Sequence, residues 1–397
     1  MSSSKRVELL APAGNLERLK IAFHYGADAV YLGGQDYSMR ANAKNFSLSD
    51  IKEACTIAHN LDKKVYVTVN IVFHNEDFNG LVDYLKALEK FGVDAIIVSD
   101  MSIIDIVHDN NINIPIHIST QMSNCNIESV KYLKDLGVER VVLARESSRE
   151  NTKEIIEKTG VEIECFLHGA MCSSYSGRCV LSNYFTGRDA NRGGCAQICR
   201  WCFDIEGIDA DTQFTMSCKD LSLIKYLKDM IDIGISSLKV EGRMRSNYYI
   251  ATVISTYRQA IDNYYSGTLN DDLIEYYSKV LNRVANRDST SQFFDKFPMV
   301  DEQYFLGRQE VSNQDFLGIV LDYNDETKEV LLEQRNYFKP GDEVEVFGPN
   351  IKTFSFIIPN IYDEDDNKLE VARHPRQIIK FKIDKKLYKD DIMRIKI

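Results

Sequence analysis

GADAVYLGG, residues 26–34, begins with a glycine and runs into a β-rich apolar segment, and the same outline returns four more times. The other copies are GVDAIIVSD (92–100), GVERVVLAR (137–145), GVEIECFLHG (160–169) and GISSLKVEG (234–242). Each glycine follows an amphipathic stretch such as LVDYLKALEKF (81–91) or IESVKYLKDL (127–136), whose apolar residues fall three and four apart. Each therefore marks a helix that ends on a glycine and a strand that begins. VELLAPA (7–13), KKVYVTVN (63–70) and IPIHISTQ (114–121) bring the strands to eight, and SNYYIATVISTYRQAIDNYY (246–265) supplies a closing helix. Eight strand–helix units in one run predict a TIM-type (β/α)8 barrel. An open doubly wound sheet has fewer strands and an early glycine-rich phosphate turn, and no G-x-G-x-x-G occurs.

Alternation along each strand then sorts the side chains by face. Glu164, Phe166 and His168 are expected on one face of the seventh strand, with Cys165 and Leu167 on the other. In the eighth, Lys239, Glu241 and Arg243 oppose Leu238 and Val240; the fifth offers His117, Ser119 and Gln121, and the third Tyr66, Thr68 and Asn70. The apolar sets must meet the outer helices, so the polar sets line the barrel. Chemistry in this fold occurs at the carboxyl ends of the strands, which nominates Asn70, Gln121, His168, Glu241 and Arg243. Barrel interiors also bury polar side chains in neutralised networks, but a Lys, a Glu and an Arg on one inward face need strong pairing to serve structure alone.

After residue 300 the character changes to short β-rich runs such as FLGIVLDY, DEVEVFG and IIKFKI, broken by Asn-Asp, Pro-Gly and Gly-Pro turn signals. The expected organisation is a barrel over residues 1–270, a helical connector over 271–310 and a small antiparallel β-barrel over 311–397. The chain carries 48 basic and 59 acidic residues, a formal net charge of −11, which opposes indiscriminate nucleic-acid binding while leaving room for local basic patches. No apolar run reaches the roughly 20 residues that span a bilayer. The opening MSSSKRVELLAPAG has no apolar leader, and the expected location is the cytoplasm.

Seven of the nine cysteines fall between residues 165 and 218, and an odd, crowded set in such a chain argues for a metal centre or thiol chemistry rather than a disulfide framework. The insertion after the seventh strand, 169–202, places Cys172 and Cys179 as C-x6-C, followed by Cys195, Cys199 and Cys202. GGCAQICRWC (193–202) matches the C-x3-C-x2-C of radical S-adenosylmethionine enzymes, but that loop normally follows the first strand. Zinc would also take four thiolates, although C-x6-C is not its usual spacing, and Cys199–Cys202 has the form of a dithiol pair. A four-cysteine iron–sulfur cluster accounts for more of the thiols. Arg178, Arg188, Arg192 and Arg200 interleave with them and suit thiolates, an anionic substrate or RNA phosphate.

ECFLHGAMCSSYSGRCVLS (164–182) resembles, without a gap, the signature of the collagenase-like peptidase-U family. ELLAPAGNLERLKIAFHYGADAVYLGG, RANAKNF, STQMSNCN, SLKVEGRMRSNYY and RNYFKPGDEVEVFGP extend the likeness through most of the chain. Within the family the chain looks most like the tRNA hydroxylation branch. That resemblance implies formation of 5-hydroxyuridine at the wobble position of the tRNA anticodon, with prephenate as the hydroxyl donor, no use of oxygen, and a 4Fe-4S cluster on Cys172, Cys179, Cys195 and Cys199. It leaves Cys202 and Cys218 incidental. Prephenate carries two carboxylates, so Arg243, Lys239, Arg40 and Arg178 are the expected anion partners. Asn70 and Gln121 complete the substrate contacts, and His168 or Glu241 moves protons, with no sequence feature choosing between them. The expected partners are tRNA and a related family member as a second subunit, not DNA or membrane. A peptidase would need another nucleophile, since H-E-x-x-H and G-x-S-x-G are absent and only a Cys172–His168 dyad is on offer. A non-catalytic iron–sulfur RNA-binding scaffold is the remaining alternative.

Overall fold

A computed structural model describes residues 6–39, 45–204, 206–207, 214–285, 287–306 and 315–397. Two units divide it, one over 1–274 with 287–309 and the other over 275–286 with 310–397. The stretch expected as a connector, 271–310, is shared between them. No helix is long and apolar enough to cross a membrane among the described residues.

The first unit is a closed parallel barrel. Its strands are β1 (Glu8–Pro12), β2 (Ala29–Gly33), β3 (Lys64–Val69), β4 (Ala95–Val98), β5 (Ile116–Ile118), β6 (Arg140–Val142), β7 (Glu162–Gly169) and β8 (Ser237–Val240). Each pairs with the next in chain order, and β8 pairs with both β7 and β1, which removes every edge. The repeats fold as their pattern demands. In the helix Leu81–Phe91 the buried residues are Leu81, Tyr84, Leu85 and Leu88, and Gly92 ends it at φ +77°. The helix Arg149–Thr159 ends on Gly160 at φ +66°, a conformation that side chains with a Cβ resist.

Inside the barrel, the end at the amino termini of the strands is closed by charge. Arg140 meets Glu8 at 2.6 Å, Glu162 at 2.8 Å and Glu164 at 3.3 Å. Lys239 Nζ donates to Glu164 Oε1 at 2.7 Å, and Tyr66 Oη donates to Glu8 Oε2 at 2.7 Å. Buried His117 stands against the Tyr66 ring, and burial, with Arg140 and Lys239 nearby, drives its imidazole well below the usual range. It is therefore neutral beneath the cations.

The second unit is one eight-stranded antiparallel sheet. It wraps a core that includes Leu317, Val330, Leu332, Phe338, Val346 and Phe381. Its order runs from the edge strand Ile351–Ile357 to the edge strand Lys368–Leu369, and these two edges do not pair with each other among the described residues. The expected small antiparallel β domain is thus present as a sheet with a core of its own.

A candidate active site at the mouth of the barrel

The loops that leave the carboxyl ends of the strands, together with the long excursion between β7 and β8, surround one cavity. Asn70, Gln121, Lys239, Glu241 and Arg243 all reach it, as do Cys172, Cys179, Cys195 and Cys199. Nine of the residues singled out by sequence are therefore brought together.

Glu241, just beyond β8, faces Arg145 at 3.7 Å and accepts a 3.4 Å hydrogen bond from Tyr31 Oη through the same Oε2 atom. Arg145 closes the GVERVVLAR repeat. Its guanidinium lies 3.9 Å from the Phe166 ring centroid and donates to the Ala170 carbonyl at 2.9 Å. Alternation does not single out this arginine, yet its place three residues past β6, in the loop at the strand's carboxyl end, is where this fold presents functional side chains. Asn70 Nδ2 donates to Ser119 Oγ at 3.3 Å, and the neighbouring Glu146 accepts from the Ser176 amide and hydroxyl at 2.6 and 2.8 Å, tying the excursion to β6.

Arg243 is buried and held. It donates to Ser38 Oγ and the Met39 carbonyl, each at 3.1 Å, and to Asn45 Oδ1 at 2.7 Å. The paired glycines that end the opening repeat make room for it, because a Cβ on Gly33 would lie 2.2 Å from Arg243 Nη2 and 2.1 Å from Ser38 Oγ. Lys239 is likewise engaged by Glu164, with its ammonium 4.4 Å from the Tyr31 ring centroid. Both cations line the cavity wall while also bonding to groups of the protein.

Three expectations differ from the structure or fall beyond it. His168 does not line the cavity. The ladder slips between Lys239, which pairs with Phe166, and Val240, which pairs with His168. The extra residue, Leu167, reverses the alternation and sends His168 to the outer face. There its Nδ1 lies 3.2 Å from Tyr257 Oη, and burial, with Arg245 near, lowers its pKa to about 3. Arg178 does not line the cavity either. Positive φ at Ser176 (+48°) and Gly177 (+78°) turns the chain, so the Arg178 side chain is exposed and Nε donates to the Gln121 carbonyl at 2.9 Å. Arg40 lies outside the described residues.

The thiols stand on short, well-tied segments. Asn191 grips Cys179 from both sides, accepting from its amide at 3.0 Å and donating to its carbonyl at 2.9 Å. Ser182 Oγ accepts from Ala196 N at 3.1 Å, fixing the chain beside Cys195. Arg192 clamps Asp77 at 2.5 and 2.9 Å and donates to the Val72 carbonyl at 2.6 Å, anchoring the excursion to the loop after β3. Burial raises the Cys172 thiol; Arg145 pulls it down, and Cys199 and Cys179 are close enough to push it up. Cys202 and Cys218 are absent from the lining.

All the cysteines are free thiols. No three Cys, His, Asp or Glu side chains close on a point that would hold one ion, among the described residues. A zinc ion draws its thiolates to within about 2.3 Å of one centre, whereas a cubane offers a separate iron to each thiolate and needs them held apart around a space. Cys172, Cys179, Cys195 and Cys199 line one cavity and match a cubane's four-thiolate donor set in number and kind.

Comparison with known proteins adds independent findings. Residues 14–303 match the family model described as Peptidase family U32, and residues 312–394 match that of the Peptidase family U32 C-terminal domain. The tRNA hydroxylation protein P1 of Bacillus subtilis is 50% identical, over 98% of this chain and 95% of its own. The 23S rRNA 5-hydroxycytidine C2501 synthase of Escherichia coli is 38% identical, over 66% of this chain and 40% of its own. The Collagenase of Porphyromonas gingivalis is 35% identical, over 70% of this chain and 71% of its own.

Proposed function

The chain belongs to Peptidase family U32, and from that premise we propose that it is an RNA-modifying enzyme that hydroxylates wobble uridine of tRNA to 5-hydroxyuridine. The observation that carries this reading is the convergence of four thiols with Glu241, Arg145, Asn70 and Gln121 on one cavity. Relatives named for hydroxylation of two different RNAs support the reaction class.

Replacing C5–H of uracil by C5–OH removes two electrons from the base, so a reaction without oxygen needs a donor that gives an oxygen atom and takes those electrons. Prephenate is that donor in this proposal. A 4Fe-4S cluster on Cys172, Cys179, Cys195 and Cys199 would supply a metal site able to bind the donor or exchange electrons. Arg145, which lines the cavity beside Glu241, joins Lys239 and Arg243 as a cation that could receive a carboxylate. Glu241 is positioned to hold or move a proton at Oε2, with Tyr31 Oη beside it. The amides of Asn70 and Gln121 offer donors and acceptors suited to the edge of a uracil. A base reaches this chamber only when unpaired or flipped, as in an anticodon loop.

Peptidase chemistry finds less support, because His168 faces away from the cavity that Cys172 lines and is engaged by Tyr257. The test is anaerobic purification with iron and sulfide analysis, followed by incubation with unmodified tRNA and prephenate and mass spectrometry of the nucleosides. Iron-loaded protein that forms 5-hydroxyuridine is the expected result. Iron-free protein that cleaves gelatin or casein and leaves the tRNA unchanged would overturn it.

A further inference from the structure

Large apolar side chains around the cysteine-bearing excursion are turned toward water. Tyr184 is 85% exposed, Phe185 47% and Trp201 46%. They form a connected set of rings: Tyr184 to Phe185 at 5.3 Å between centroids, and Phe185 to Trp201 at 6.5 Å and to Phe203 at 5.8 Å. Their place is tied to the cavity by sequence, since Tyr184 and Phe185 ride on the helix Leu181–Thr186 that follows cavity-lining Cys179, and Trp201 stands two residues beyond cavity-lining Cys199. Solvent-facing rings in a connected group mark a binding surface rather than scattered exposure.

The charge around the rings selects the occupant. Residues 175–203 hold four arginines and a single aspartate in a chain whose formal net charge is −11. Arg178 and Arg188 are exposed, and Arg200 lines the cavity. Aromatic faces interleaved with guanidinium groups are the chemistry of single-stranded nucleic acid: bases stack on the rings while the phosphates meet the cations. An apolar protein partner would not call for the arginines, and a duplex presents no free base faces to the rings.

We propose that Tyr184, Phe185 and Trp201 form a stacking platform for the unpaired nucleotides that flank the target base at the cavity mouth. This assignment rests on the RNA-hydroxylation reading and adds to it the surface that selects a single-stranded loop over a duplex.

Trp201 is the sole tryptophan of the chain, so its fluorescence reports the platform directly. The full chain, prepared anaerobically, is titrated with a seven-nucleotide single-stranded RNA containing one uridine, with a stem-loop displaying the same seven nucleotides, and with the matching duplex. The two unpaired probes are expected to quench Trp201 and the duplex is not. Tyr184→Ala is expected to weaken the unpaired probes by roughly 5- to 100-fold, the loss of one base–aromatic stack. It should raise KM for the stem-loop while leaving kcat and the thermal midpoint unchanged. Equal affinity of Tyr184→Ala and parent, or equal quenching by the duplex, overturns the platform even if 5-hydroxyuridine forms. Quenching and loss on Tyr184→Ala without any 5-hydroxyuridine keeps the platform and removes the proposed reaction. A change of oligomeric state in Tyr184→Ala without change in RNA affinity reassigns the rings to a protein contact and overturns the proposal.

Discussion

Glu241 and His168 start from equal standing in the sequence and end in different surroundings. Glu241 Oε2 sits between the Tyr31 hydroxyl and Arg145 at the cavity, whereas His168 is sealed against Tyr257 and Tyr249. Glu241→Gln keeps the shape and removes the charge, so nucleoside mass spectrometry should show hydroxylation slowed by about 100-fold or more, the usual scale for a positioned acid–base group. His168→Phe should leave that rate within a few-fold and lower stability by about 1 kcal/mol through the lost bond to Tyr257. Its pH signature is specific. The folded imidazole titrates at about 3, below its unfolded value, so the unfolded chain takes up a proton first and the folded state loses ground as pH falls from about 6.5 toward 3. That part of the acid sensitivity should vanish in His168→Phe, measured by denaturant unfolding at pH 7 and pH 4.5. The face assignment for this residue was out of sequence reach for a plain reason: alternation has no mark for the extra Leu167, and one inserted residue flips everything after it. Lys239, Glu241 and Asn70 were legible because neither of their own strands takes an extra residue, and Glu241 and Asn70 are the first residues beyond β8 and β3.

Among the elements, the excursion between β7 and β8 depends on a few polar ties rather than on a core of its own. Arg192 joins it to Asp77 after β3, Glu146 holds Ser176, and Asn191 holds Cys179. The arginine keeps the Asp77 carboxyl near 2, well under the ordinary range. Asp77→Ala should therefore release the excursion while sparing the barrel. Limited proteolysis is expected to cut within residues 170–213 faster than in the parent, with the main thermal midpoint little changed. Cys172→Ser and Cys199→Ser should each reduce the iron recovered per chain under anaerobic purification, while Cys202→Ser should not. The gathering of Cys172, Cys179, Cys195 and Cys199 was readable from their crowding in one insertion. The turn at Ser176–Gly177 that faces Arg178 outward was not, since Ser at positive φ leaves no signature in the sequence.

Across the whole molecule, two buried groups respond to acid in opposite directions, His168 in the first unit and Asp391 in the second. In the second unit Asp391 is fully buried; Oδ2 accepts from the Tyr388 amide at 2.8 Å, while Oδ1 has no hydrogen-bond partner among the described residues. Gly348 lies so close that a Cβ there would come within 1.7 Å of Oδ1. Burial raises the carboxyl from 3.8 to about 6. A raised carboxyl favours the folded state fully below its unfolded value and gives that stability up as pH climbs through about 6, a loss of roughly 3 kcal/mol at neutral pH. Asp391→Asn should raise the unfolding temperature of this unit at pH 7.5 and change little at pH 4, by scanning calorimetry. The barrel itself was readable from the glycine-led repeats, which carry both periods of the fold. The antiparallel second domain was readable from its short β-rich runs and turn signals, while the order of its eight strands was not, because turn signals fix neighbours in sequence and not partners across the sheet.

The ionic plug of Glu8, Arg140, Glu162, Glu164 and Lys239 fills the barrel below the chamber, at the amino ends of the strands. Under the proposed reaction, a small donor that enters from the mouth sits between that plug and the nucleobase. Ordered addition, small molecule before RNA, is then the expected kinetic pattern for that reaction.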